Sequence, residues 1–125
     1  MARPRVLLAD DYPRLIAAIN RLLGENSCEV VGTATDGVQL LEEAVRLQPD
    51  VVLLDLFMPK LNGLDACLEL ARVLPQAKIV VLTADADPDI RRAALTAGAS
   101  AVVDKLAIAT DLLPAIAAAW GGQDA

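Results

Sequence analysis

The chain has 125 residues, a length that suits one domain and is enough to bury a hydrophobic core without disulfides or metals. Hydrophobic residues make up 55% and charged residues 22%, which excludes a disordered chain. The net charge is −6, and no basic run is longer than Arg91-Arg92. Direct nucleic-acid binding by this domain is therefore excluded, because it needs a basic face.

The chain contains no histidine. This excludes Ser-His-Asp and Cys-His catalysis, histidine-ligated zinc and imidazole pH switching. The two cysteines, Cys28 and Cys67, lie far apart in apolar patterns and are predicted to be small core residues. No segment reaches the ~20 apolar residues of a membrane helix, and the short apolar stretch before Asp10 is not a secretory signal. We therefore expect a cytoplasmic protein that does not bind membranes.

Short apolar runs alternate along the chain with longer segments of helical period. Several of these runs are continuously apolar and rich in Val, Leu or Ile, which is typical of parallel strands covered on both faces. The predicted strands are Arg5–Ala9, Glu29–Ala34, Val51–Leu54, Lys78–Leu82 and Ala101–Val103.

Five segments between and after the runs predict amphipathic helices. Their apolar positions fall within Leu15–Leu23, Val38–Val45, Leu64–Ala71, Ile90–Ala97 and Leu112–Trp120. The fourth is expected to begin with Asp87 as N-cap and Pro88 as its first residue, and its small inward residues should anchor it weakly. Pro114 is expected near the first turn of the fifth helix, where a proline costs least.

Residues that typically begin or end helices stand at the expected positions. Gly24 ends the first helix, Asp36-Gly37 starts the second, and Pro49 and Pro75 end the second and third. Strict alternation of five strands and five helices predicts a flavodoxin-like (βα)5 fold. This is a doubly wound parallel sheet in the order 2-1-3-4-5 with helices on both faces. We expect a single domain over residues 1–125, with its core at 5–120 and a mobile tail at 121–125.

Polar residues stand at the carboxyl ends of four predicted strands. Asp10-Asp11 follow the first strand, Asp55 the third, Thr83 the fourth and Asp104-Lys105 the fifth. In this topology ligands bind at that edge, where the strand order reverses between the first and third strands. Each residue alone is as consistent with a solvated turn or a helix cap, but their joint placement predicts a site.

Three converging carboxylates repel one another and require a cation or a raised pKa. Carboxylate, carbonyl and water oxygens suit Mg²⁺, or Mn²⁺ in its place. A carboxylate beside such an ion can attack phosphorus and form an aspartyl phosphate. Lys105 would neutralise a phosphoryl oxygen and Thr83 would donate a hydrogen bond to one. The phosphoryl donor can be another molecule, so this chain needs no histidine.

Several motifs together resemble the receiver domain of two-component response regulators, over residues 5–120. They are Leu7-Leu8-Ala9-Asp10-Asp11, Asp50-Val51-Val52-Leu53-Leu54-Asp55-Leu56-Phe57-Met58-Pro59, Asn62-Gly63, Val81-Leu82-Thr83-Ala84, Ala97-Gly98-Ala99-Ser100 and Lys105. The Ala-Gly-Ala-Ser stretch is also similar to the subgroup with a C-terminal helix-turn-helix output domain.

The resemblance implies that Asp55 accepts a phosphoryl group from the phosphohistidine of a sensor histidine kinase or phosphotransfer protein. It implies Mg²⁺ held by Asp11, Asp55 and the Phe57 carbonyl, with Asp10 orienting the waters of the metal. Phosphorylation would draw Thr83 toward the phosphoryl group and reshape the surface of helix four, strand five and helix five. That surface would control an output domain or partner, with transcription as the expected output, and homodimerisation through helices four and five is a family-level expectation. The domain would be a phosphoacceptor that assists its own reactions rather than a turnover enzyme.

Two positions depart from the usual receiver pattern. Val102 stands where many receivers have a tyrosine or phenylalanine switch residue, and Leu106 where many have proline. Phe57 and Asp85, each two residues beyond a site residue, flank the expected path of a hydrolytic water. We expect the bulky Phe57 to lengthen the lifetime of the phosphoryl group.

Three alternatives compete with the phosphoacceptor hypothesis. A phosphatase or mutase with an aspartyl nucleophile commonly has a second acid at the position of Phe57. A flavin or nucleotide module would need a Ser/Thr/Gly-rich loop where this chain has Asp11-Tyr12-Pro13-Arg14. The third, a receiver-like interaction domain independent of phosphorylation, is favoured by Val102 and disfavoured by the intact acidic, threonine and lysine residues.

Overall fold

The computed structural model describes residues 3–60, 62–85 and 87–121. Five parallel strands form one sheet in the order β2-β1-β3-β4-β5, so the predicted order is confirmed. The strands are β1 (Arg5–Ala9), β2 (Glu29–Ala34), β3 (Val51–Asp55), β4 (Lys78–Thr83) and β5 (Ala101–Asp104).

Five helices follow the strands in alternation. They are α1 (Pro13–Gly24), α2 (Gly37–Leu47), α3 (Gly63–Val73), α4 (Pro88–Thr96) and α5 (Ile108–Gly121). Asp87 caps α4 as predicted, because its side chain accepts from the backbone N–H groups of Asp89 and Ile90. None of the described helices is both long enough and apolar enough to cross a bilayer.

The sheet separates two hydrophobic clusters because successive strand residues point to opposite faces. One cluster contains Leu7 and Leu54 together with residues of α2, α3 and α4, and the other contains Leu8 and Leu53 with residues of α1 and α5. Buried residues that illustrate the helix contributions are Leu40, Leu70 and Ala94 on the first face and Ile19, Leu23, Leu112 and Ile116 on the second. The flavodoxin-like architecture is thereby confirmed.

Both cysteines are free and buried, which confirms them as small core residues. Burial raises the pKa of the Cys67 thiol to about 11 and also raises that of Cys28. A thiol with a raised pKa stays protonated at neutral pH and is a poor nucleophile.

The start of α5 differs from the prediction. A 3₁₀ turn at Lys105–Ala107 leads directly into α5 at Ile108, so Pro114 lies in the helix interior rather than near the first turn. Proline has no N–H, and the carbonyl of Thr110 therefore loses its usual helical partner. Pro114 is exposed, so water can solvate that part of the helix.

Two further expectations need adjustment. Strands β3, β4 and β5 each run one residue further than predicted, to Asp55, Thr83 and Asp104. Of the expected tail at 121–125, Gly121 is the last residue of α5, and residues 122–125 lie outside the described residues.

Candidate functional site

The carboxyl ends of β1, β3, β4 and β5 bring the predicted polar residues to one edge of the sheet. Asp10 directly follows β1, Asp55 ends β3, Thr83 ends β4 and Lys105 directly follows β5. Asp10, Asp55 and Thr83 are buried at 0%, 3% and 0% exposure, whereas Asp11 is exposed. The edge therefore combines a buried acidic floor with one acid open to solvent.

Two local turns orient the buried carboxylates. Asp10 Oδ1 accepts a hydrogen bond of 2.8 Å from the backbone N–H of Tyr12, and Asp55 Oδ1 accepts one of 3.1 Å from the N–H of Phe57. Each aspartate thus uses one oxygen to close the turn that leaves its strand. The Oδ2 atom of each remains available to the centre of the site.

Lys105 supplies the cation that these Oδ2 atoms face. Its Nζ lies 2.8 Å from Asp10 Oδ2 and 3.2 Å from Asp55 Oδ2. The Asp104 side chain accepts from the N–H of Leu106 at 2.8 Å and caps the turn that carries the lysine. A single ammonium therefore serves two buried carboxylates.

The cluster contains two buried carboxylates but one ammonium group to neutralise them. Burial raises the pKa of Asp55, and the charge of Asp10 adds to this, against the lowering by the Phe57 N–H and by Lys105. Burial by itself lowers the pKa of Lys105, but the hydrogen bond to Asp10 and the charges of Asp55 and Asp10 outweigh it and raise that pKa. Lys105 stays charged, while an ionised Asp55 is short of compensating charge.

The residues fit a small hard cation. Asp10, Asp11 and Asp55 each offer a carboxylate oxygen, and these oxygens all lie within 4.8 Å of one another. Asp10 Oδ2 is buried, and its contact is with Lys105 Nζ at 2.8 Å. Carboxylate oxygens with an open, solvent-facing side are the donor set that Mg²⁺ favours. The predicted role of the Phe57 carbonyl as a further ligand stays a prediction.

Thr83 lies at the site but points its hydroxyl elsewhere. Oγ1 donates to the carbonyl oxygen of Asp85 at 3.2 Å and accepts from the Asp85 N–H at 3.1 Å. The hydroxyl is therefore bonded within its own β4–α4 loop. Its predicted hydrogen bond to a phosphoryl oxygen requires that this local pair opens.

Sequence reasoning missed the anchors of the β3–α3 loop. The Gly63 N–H donates to the carbonyl oxygen of Leu56 at 3.1 Å, and a Cβ on Gly63 would lie 2.4 Å from the Leu56 backbone. The Gly37 N–H donates to the Pro59 carbonyl oxygen at 3.2 Å, which ties the same loop to the start of α2. The Asn62-Gly63 pair in the sequence was the available signal for the first anchor.

The departures of the sequence have clear structural counterparts. Val102 is buried, and its carbonyl oxygen accepts a hydrogen bond of 3.2 Å from Arg91 Nη1 on α4. Leu106 lies in the 3₁₀ turn and is 93% exposed. Nothing in the sequence pattern pointed to Arg91.

Comparison with known proteins identifies the family of the chain. A family model for the response regulator receiver domain matches residues 6–117. The chain is 36% identical to response regulator GacA of Pseudomonas viridiflava over 95% of this chain and 56% of that protein. It is 35% identical to chemotaxis protein CheY of Thermotoga maritima over 81% of this chain and 84% of that protein. Apart from such short relatives, the chain spans about half the length of the curated relatives it matches.

Solved structures give the same result. The signal receiver domain of the response regulator NarL from Mycobacterium tuberculosis superposes with a TM-score of 0.91 at 29% identity, covering 98% of this chain and 99% of that chain. The isolated receiver domain of RcsB from Salmonella enterica, solved with the phosphomimetic BeF3⁻, gives a TM-score of 0.86 at 31% identity over 93% of this chain and 87% of that chain. The chain therefore belongs to the response regulator receiver domain family of two-component signalling proteins.

Proposed function

We propose that this domain is a signalling switch in which Asp55 accepts a phosphoryl group with the help of Mg²⁺. The observation that carries the proposal is the acidic cluster. Oxygens of Asp10, Asp11 and Asp55 lie within 4.8 Å of one another, and Lys105 Nζ lies 3.2 Å from Asp55 Oδ2. Receiver domains are signalling domains and not classical enzymes, which supports a phosphoacceptor over a phosphatase, a mutase or a flavin module.

The acidic residues would hold the metal. Asp11 and Asp55 would ligate it together with the Phe57 carbonyl, and Asp10 would orient its waters. When bound, Mg²⁺ neutralises charge on the transferring phosphoryl group. Burial, with a smaller contribution from the charge of Asp10, raises the pKa of Asp55, and a bound cation would supply the charge that stabilises its ionised form.

The chemical step is an in-line displacement at phosphorus. A carboxylate oxygen of Asp55 forms the new bond to phosphorus as the bond from phosphorus to the imidazole nitrogen of the donor's phosphohistidine breaks. The bonding pair returns to that nitrogen, which takes a proton from solvent, so that the donor leaves as a neutral imidazole. Lys105, which stays charged because its pKa is raised, stabilises the oxygens of the transferring group.

The output would follow from the Thr83 loop. A hydroxyl that leaves the Asp85 backbone for a phosphoryl oxygen releases the β4–α4 loop directly before α4. The α4, β5 and α5 surface would change in consequence and act on an output domain, a partner or a second copy bound through α4 and α5. Relatives named as transcriptional regulatory proteins, such as LiaR of Bacillus subtilis, support a transcriptional output. We further propose that residues 1–125 form one receiver domain whose donor is a sensor histidine kinase or phosphotransfer protein.

Intact mass after incubation with Mg²⁺ and a small acyl phosphate tests the proposal. We expect wild type to gain one phosphoryl group, and to gain none when Mg²⁺ is chelated. Asp55→Asn should gain none, whereas Asp111→Asn, which changes an exposed acid on α5, should behave like wild type. Folded wild type that gains no adduct would contradict the proposal and favour the phosphorylation-independent interaction domain.

A further inference from the structure

We propose that the groove between α3 and α4 is a docking site for an amphipathic helix of a partner protein, one that carries basic residues beside its apolar face. The proposal goes beyond the phosphoacceptor function and does not depend on it. It rests on the shape, the apolar lining and the charge of this groove.

The groove is continuous. Two adjacent cavities of about 260 and 560 Å³ share Leu64, Asp89 and Ala93 as lining residues. The first cavity extends to Phe57 at the β3–α3 loop, and the second extends along α3 to Leu68. On the other side the lining runs from Asp89 on α4 to Ala97, which directly follows α4. This distance is roughly two helical turns, so the groove can contact about two turns of a partner helix.

The floor and walls of the groove are apolar. Phe57 and Leu68 are 62% and 54% exposed, and Leu64 and Ile90 are half-buried beside them. The small side chain of Ala93 leaves the space between the two helices open. Contiguous exposed apolar surface marks interaction sites, and a helix that inserts residues at i, i+3 or i+4 and i+7 is the usual occupant of such a groove.

The rim carries an excess of acid. Asp65 lines it on α3 and Asp89 on α4, while the base in the lining, Arg92, already lies 3.6 Å from Asp89. Two more exposed acids, Asp85 and Asp87, lie just before the start of α4. Electrostatic complementarity therefore favours basic residues on the partner and disfavours an acidic helix. It also disfavours a second copy of this chain, whose net charge is −6.

Titration with a synthetic helix tests the proposal on the full, unphosphorylated chain. The probe is a peptide of about 15 residues with leucines at helical spacing and lysines on both flanks. Two matched peptides are a scramble of the same composition and a version with glutamate in place of lysine. In amide NMR spectra we expect shift changes confined to α3, α4 and Phe57 with the first peptide alone, and weaker binding at higher salt.

Paired variants locate the binding. Leu68→Asn should weaken affinity on the order of tenfold because it removes an apolar wall, and Asp89→Asn should weaken it by a smaller factor. Val45→Asn, at a 56% exposed apolar residue on α2, and Asp111→Asn on α5 are the controls and should leave affinity unchanged. The proposal is overturned if all three peptides bind equally, if shifts map elsewhere, or if the groove amides shift with protein concentration alone, which would make a second copy the occupant.

Discussion

The guanidinium of Arg91 joins α4 to the edge strand, since its Nη1 donates a hydrogen bond of 3.2 Å to the carbonyl oxygen of Val102. Carbonyl groups of an edge strand that do not face a neighbouring strand need a partner from outside the sheet. Ala94 is the buried residue that α4 contributes, so the helix has little apolar anchorage of its own. Arg91 is therefore a principal attachment of α4 in this state.

We predict that Arg91→Ala lowers the free energy of unfolding by about 1 kcal/mol and speeds amide exchange in α4. Arg92→Ala is the matched control, because the Arg92–Asp89 pair is exposed and should contribute no more than about 0.5 kcal/mol. Chemical denaturation and hydrogen exchange measure the two effects. Equal behaviour of the two variants would contradict the role assigned to Arg91.

Asp55→Asn should stabilise the metal-free domain at neutral pH. The pKa of Asp55 is raised in the folded state above its ordinary value of 3.8, chiefly by burial, so the ionised carboxylate costs stability once the pH exceeds the folded-state pKa. Below about pH 3.8 the carboxyl is protonated in both states, and the advantage of the variant should vanish. Urea unfolding between pH 3 and pH 7 checks this.

Asp36 provides the comparison of opposite sign. Its pKa is lowered, first by the backbone N–H of Gln39 and also by Lys60, so its contribution is present at neutral pH and is lost as the pH falls through the folded-state pKa. Asp36→Ala should therefore destabilise the domain at neutral pH.

An Asp55→Asn variant that is less stable than wild type at pH 7 would contradict the prediction that the ionised Asp55 carboxylate destabilises the metal-free domain.

Phe57→Asn should shorten the lifetime of the phosphoryl group. The Phe57 N–H donates to Asp55, and we expect the exposed side chain, two residues beyond the phosphoacceptor, to flank the path of the hydrolytic water. Replacement by a small polar side chain opens a path for the hydrolytic water. Loss of label after removal of the acyl phosphate measures the rate, with Leu106→Asn at the exposed rim as control. Equal rates of label loss for wild type and Phe57→Asn would show that Phe57 does not lengthen the lifetime of the phosphoryl group.

Gly63→Ala should disturb the loop that follows Asp55. The added Cβ would lie 2.4 Å from the Leu56 backbone, which cannot move aside as a flexible side chain can. We expect a loss of roughly 1–3 kcal/mol in unfolding free energy, typical of overpacking, together with slower phosphorylation. Gly24→Ala at the end of α1 meets nothing within 4 Å and should be neutral or slightly stabilising. Comparable losses in both variants would contradict the packing argument.

The strand order and the convergence of acids could be predicted because both follow from patterns of period and position. Continuous apolar runs gave the parallel strands, and Asp10, Asp11 and Asp55 had to meet once those strands were neighbours. The predicted ends of β3, β4 and β5 lie one residue too early. Strand pairing uses backbone groups, so a polar residue such as Asp55 or Thr83 pairs with the neighbouring strand as an apolar residue does.

The orientation of single groups could not be predicted in the same way. The Thr83 hydroxyl is bonded to the Asp85 backbone instead of facing the acidic cluster, because a hydrogen bond within the loop is available to it. The sequence pattern does not show which of these hydrogen bonds forms. A 3₁₀ turn precedes α5 and is capped by the Asp104 side chain, a role that the position of Asp104 beside Lys105 does not predict. Arg91 reaches the carbonyl of Val102 across two elements, a relationship with no local signature.

The alanine-lined contact of α4 has a mechanical consequence. Dispersion contacts scale with the number of touching atoms, and methyl groups such as those of Ala94 and Ala97 offer few of them. Small side chains also interlock poorly, so they do little to fix the axial position of a helix. A displacement of α4 by a fraction of a turn would break few interatomic contacts, whereas the same displacement of α3, with Leu70 and Cys67 fully buried, would break many. Of the two helices, α4 is thus the more compliant, and we expect it to slide along the sheet more readily than α3.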